Sequence, residues 1–130
     1  MTFRFPDERN SAEATSGQHA ISVNFLADLG VEAWRVTKRL RRLEGLVGQE
    51  VASPLRDAVE RLNDTLERYE LFVRDHDGEK YDEGLALEIL HADGAGEMQV
   101  EETITPTVKF RDLRLVTGKV ILGVRGGQQQ

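Results

Sequence analysis

From Pro54 to Val73 the chain reads PLRDAVERLNDTLERYELFV, and its apolar residues Leu55, Val59, Leu62, Leu66, Tyr69 and Val73 recur at alternating steps of four and three. That spacing makes the stripe of a helix packing lengthwise on other helices, so any fold for this chain must supply helical partners. Ser53 is placed to accept a hydrogen bond from an early backbone N–H, and Pro54 would then hold the first helical position, where its missing donor costs nothing. The opposite surface carries Asp57 with Arg61, Asp64 with Arg68 and Glu70 with Arg74, each acid four residues before its base. One face is expected to be buried and the other wet.

A second helical pattern precedes it. Between about Ile21 and Val47, the residues Leu26, Leu29, Ala33, Val36, Leu40, Leu43 and Val47 keep the same three-four spacing, with Trp34 beside the stripe. Gly30 lowers helix propensity there by about 1 kcal/mol relative to Ala, a cost that packing can override. The two stripes do not join in register. Gly45 and Gly48 are plausible terminators, so a helical hairpin is the first expectation, and one kinked helix reaching about 80 Å at 1.5 Å per residue is the alternative. Residues 20–74 are thus read as a helical region. Its seam through Leu55, Val59, Leu62, Leu66 and Tyr69 is too apolar for an isolated hairpin, which predicts a homodimer built on a four-helix bundle. Residues 1–19 are polar without sustained period and read as a flexible arm on which Phe3 and Phe5 could dock.

After Arg74 the pattern changes. Residues 75–83 form an acidic, turn-rich linker that offers little to bury, so few contacts should cross it. From residue 84 to 125 the period becomes two, through Leu85, Leu87 and Ile89, then Met98, Val100 and Ile104, Val108 and Phe110, Leu113 and Leu115, and Val120, Leu122 and Val124. This predicts a small, mostly antiparallel β domain, making the whole an α+β fold. Asp93 to Gly96 and Arg111-Asp112 read as hairpin connections, and Thr117-Gly118 as a tight turn or a bulge. Pro106 belongs at a strand edge or bend. Residues 126–130 read as a disordered tail.

Composition narrows the function. The net charge of −6 is unevenly spread: residues 75–102 hold ten acids against Lys80, whereas residues 103–130 hold Lys109, Arg111, Arg114, Lys119 and Arg125 against Asp112 alone. Such division suits a specific polar partner better than general nucleic-acid binding. The basic run of Arg35, Lys38, Arg39, Arg41 and Arg42 surrounds an apolar stripe and reads as a solvated flank. The absence of cysteine excludes disulfides and thiolate metal sites, and no apolar run approaches membrane-spanning length. With no basic-then-apolar leader, a soluble cytoplasmic protein is expected. His19, His76 and His91 lack metal-ligand spacing and read as surface residues, and no catalytic, cofactor-binding or metal-binding residue is assigned.

The break at a proline, the acidic turn carrying Gly78, Tyr81 and Asp82, and the closing DLRLVTGKVILG from Asp112 to Gly123 together resemble the GrpE family, the nucleotide exchange factors of DnaK-type chaperones. The stretch PLRDAVERLNDTLERYE is similar to the bundle helix before that family's β domain. Where the family usually continues with proline and histidine, this chain has Glu83 and Ala86, and Val116-Thr117-Gly118 stands for the usual Arg-Pro-Ala. The resemblance implies a dimer whose β domains bind the ATPase domain of a DnaK-type chaperone and promote ADP release, with no cofactor. A dimeric adaptor without exchange activity is the alternative. If the resemblance holds, Lys109, Arg111, Leu113 and Arg114 are the expected partner-binding residues, two arginine forks with an apolar anchor between them.

Overall fold

A computed structural model describes residues 22–124, so the arm at 1–19, the tail at 126–130, and His19 and Arg125 lie outside the described residues. The architecture is α+β: helices α1 (Val23–Leu43) and α2 (Gln49–Arg68), then strands β1 (Leu71–Arg74), β2 (Glu88–Ala92), β3 (Met98–Thr105), β4 (Thr107–Phe110), β5 (Leu113–Val116) and β6 (Lys119–Val124). Ser22 caps α1, its hydroxyl accepting from the Phe25 N–H at 3.4 Å. Arg56 meets Glu44 at 2.9 Å and Asn63 donates to Thr37 at 3.1 Å. From the first pair to the second the chain steps back seven residues on one side and forward seven on the other, so the helices are antiparallel and form a hairpin.

Both ends of α2 depart from expectation. The helix begins at Gln49 behind Gly48, and Pro54 lies inside it instead of at its start. The proline ring withholds one N–H from the Glu50 carbonyl, and the helix continues past it to Arg68. The helix also stops at Arg68, five residues short of Val73, because Glu70 takes a left-handed φ of 71° and turns the chain into β1. The Arg111 N–H donates to the Glu70 carbonyl at 2.9 Å and fixes that corner.

The strands make two three-stranded sheets, not one β unit. The first has the order β1-β4-β5 and is antiparallel throughout; the second has the order β2-β6-β3, with β2 parallel to β6 and β3 antiparallel to it. Arg111-Asp112 does close a hairpin, between β4 and β5. Asp93 to Gly96 does not, since β6 is inserted between β2 and β3. Thr117-Gly118 is neither a tight hairpin nor a bulge but the crossing from one sheet to the other. Pro106 is buried at the opposite crossing, from β3 into β4. The expected alternation in β3 fails at a register shift between Val100 and Glu102. A two-for-one step reverses the faces beyond it, so Thr103 turns inward and Ile104 outward.

Helix α1 rests on the first sheet through Ala33, with Leu66, Leu71 and Val108 completing the buried centre and Leu26, Leu29, Val73 and Phe110 around it. A Cβ on Gly30 would stand 2.7 Å from a Val108 methyl, so glycine lets the helix backbone approach the sheet. The second sheet buries Val100, Val120 and Leu122 beneath Tyr81, Leu87, Ile89 and Met98.

Candidate partner-binding surfaces

The seam between the helices is small and mixed: Thr37 of α1 meets Asn63 of α2, Glu44 just past the end of α1 meets Arg56, and Leu40, Ala52 and Leu66 are buried along the hairpin. The larger apolar residues sit one position earlier. Phe25, Val36 and Leu43 on α1 and Val51, Leu55 and Leu62 on α2 are all exposed, as is Tyr69 just past the helix end. One residue is about 100° of helical turn, and because the helices run in opposite directions the same backward step rotates both stripes to the same side of the hairpin. The five residues expected to form one seam therefore divide. Val59 and Leu66 pack within the protomer, whereas Leu55, Leu62 and Tyr69 lie on an uncovered apolar face.

On the other side of the hairpin, α1 is tied to the residues that follow β1. Trp34 Nε1–H donates to Asp75 at 3.0 Å, and Lys38 Nζ reaches Asp75 at 3.3 Å and also binds Asp77. Asp77 accepts from the Thr103 N–H at 2.6 Å. Burial pulls the Lys38 pKa down, but Asp77 and Asp75 outweigh it and hold the ammonium above its ordinary value. For Asp77, burial acts upward and the bonds from Lys38 and Thr103 prevail, leaving it depressed. His76, expected at the surface, is 3% exposed. Its N–H donates to Thr103 Oγ1 at 3.0 Å, while its ring meets Glu79 at 3.0 Å and Thr107 at 2.8 Å. Burial raises Glu79, and His76 and Arg74 together hold it below the usual carboxylate value. Residues 78–81 also bond along β3, with Gly78 N–H donating to the Val100 carbonyl and Tyr81 N–H to that of Met98. The expectation that few contacts cross residues 75–83 is thus reversed: this stretch rivets α1 to both sheets. An alternation search passes over it because its polar groups are held individually by partners distant in sequence.

The four expected partner-binding residues also separate. Lys109 and Arg114 stand directly opposite one another across β4 and β5, and Lys109 opposes Phe72 of β1 on its other side. This row faces away from the helices, since its neighbours Leu71 and Val108 are the buried ones. Leu113 lies in the next row, level with Phe110 and Leu71, yet is 59% exposed at the end of the sheet. Arg111 occupies the β4–β5 turn with φ of 56°, stacked 5.0 Å over the Phe110 ring and 3.4 Å from the Glu70 carboxylate. Phe72 and Arg74 join the outer face unforeseen, because a helical reading of Leu71 to Arg74 hides a strand. The signal available for them was the β-rich run Leu71-Phe72-Val73 following the Tyr69-Glu70 corner.

No family model, curated protein or solved structure matches this chain. Among the described residues, no group of three or more His, Asp or Glu side chains is placed to hold a metal ion, and no helix is long and apolar enough to cross a membrane.

Proposed function

We propose that the chain is a homodimeric, non-catalytic co-chaperone of the GrpE kind, acting in the cytoplasm on the ATPase domain of a DnaK-type chaperone. The observation that carries this is the uncovered side of the helical hairpin. Val36, Leu43, Leu55, Leu62 and Tyr69 are exposed together, although a protomer with so small a core has every reason to bury them. A second hairpin set against that side makes a four-helix bundle and leaves both pairs of sheets free to hold a partner. Lys109, Arg111, Leu113 and Arg114 then belong to the partner surface. Exchange requires only that the dimer bind the open chaperone more tightly than the ADP-bound form.

The decisive experiment measures release of a fluorescent ADP analogue from a DnaK-type chaperone, alongside light scattering of the protein alone. Acceleration by the wild type, lost together with dimerisation in Leu62→Asp, is the expected result; a wild-type monomer at micromolar concentration would sink the dimer. A second reading, a dimeric adaptor without exchange activity, draws on Glu83, Ala86 and Val116-Thr117-Gly118, where the family's usual residues are replaced. A dimer that binds the chaperone yet leaves ADP release unchanged decides for the adaptor.

A further inference from the structure

The outer face of the first sheet holds an arrangement that its own chain does not satisfy. Lys109 and Arg114 are cross-strand neighbours, and like charges placed directly opposite destabilise a sheet. Neither has an acidic partner among the described residues; the nearest cation on the same face, Arg74, is paired with Glu79 at 3.1 Å. Beside the two cations Phe72 is 43% exposed, and Leu85 and Leu87 line the far wall of the same cleft, whose volume is about 360 Å³. An apolar floor flanked by unneutralised cations calls for a ligand that carries both carboxylates and an apolar side chain.

We infer that this cleft binds an extended acidic segment of a partner protein, with one apolar side chain of that segment seated against Phe72, Leu85 and Leu87 and its flanking carboxylates on Lys109 and Arg114. Charge complementarity selects this occupant. A nucleic acid would also meet Lys109 and Arg114, but its phosphates would continue past them onto a chain that carries 23 acids against 17 bases. A short acidic peptide engages only the local cations. This rests on the reading of the sheets as the partner-holding part of the molecule, and not on exchange activity itself.

The test is fluorescence anisotropy of a labelled peptide of aspartates and glutamates with a single central leucine, titrated with the full chain. Saturable binding that weakens with added salt is expected. Lys109→Gln with Arg114→Gln should weaken it by at least about tenfold while the melting temperature holds or rises, because the repulsive pair is removed. Phe72→Ala should weaken the leucine peptide but not a peptide with alanine in its place. Absence of saturation, unchanged affinity in the Lys109/Arg114 double variant, or tighter binding of an oligothymidylate than of the peptide would each overturn the assignment. Because the assay contains no chaperone, its failure is separable from failure of exchange.

Discussion

Thr103 holds the joint from the β3 side, through both its side chain and its backbone. It accepts from the His76 N–H and, through its own backbone, donates to Asp77. Thr103→Val keeps the shape and leaves a buried donor unsatisfied, so a loss of about 1–3 kcal/mol is expected in urea unfolding. Gly30 makes a contrasting case. Alanine there gains about 1 kcal/mol of helix propensity but overpacks against Val108 at a cost of about 1–3 kcal/mol, so the net change should be destabilising. Gly45→Ala, with nothing within 4 Å of the added methyl, should not destabilise and serves as the control. The acidic members of the joint set its pH response. Asp77 and Glu79 are depressed below their ordinary values of 3.8 and 4.5, so the unfolded chain binds more protons in acid. Their contribution is complete above those values and drains away as pH falls through and below them. Lys38, raised above 10.5, contributes fully below that value and loses its effect as pH climbs past it. Unfolding midpoints between pH 7 and pH 3 should fall less steeply in Asp77→Asn than in the wild type; parallel profiles would remove Asp77 from the account.

The two faces of α2 can be told apart by placing the same charge on each. Leu66 is 9% exposed and belongs to the core beneath Val108, so Leu66→Asp should unfold the protomer, with a loss of several kcal/mol. Leu55 and Leu62 touch water in the protomer. Aspartate at either should leave helical circular dichroism in place while abolishing association, and an equal loss of helicity at all three positions would contradict the division of faces. Much of this helix was readable from its spacing, because three-four periodicity reports which residues share a side. Spacing does not say which side meets which neighbour: Val59 and Leu62 are three apart and equally apolar, yet one packs inside the hairpin and the other outside it. The helix end was unreadable for a different reason. Left-handed corners are usually marked by glycine, and here Glu70 adopts one under the hold of Arg111, a residue forty-one positions away. Missing that corner concealed β1, and with it Phe72 and Arg74. Lys109 and Arg114 were recognisable as a charge excess, but their standing opposite one another depends on a register that only the fold supplies.

Because the acidic stretch is stitched to α1, β3 and β4, the helices and sheets should open as one unit. Limited proteolysis is expected to spare residues 75–79 and to cut first near Asp93 to Gly96, where the side chains are exposed and the ends are not held by a hairpin ladder. Early cleavage at residues 75–79 would mean that the rivet observed here opens readily. The strands alternate between sheets in an unusual order: the first sheet takes β1, then β4 and β5, while the second takes β2 and β3 and waits for β6. During synthesis this order has a temporal cost. Since β6 is the central strand, β2 has no ladder to join, and β3 only its short pairing with residues 78–81, until Lys119–Val124 has left the ribosome. Until that moment β2 and the β6-facing edge of β3 stay open in a nascent chain, the condition in which a protein most needs the protection that chaperones give.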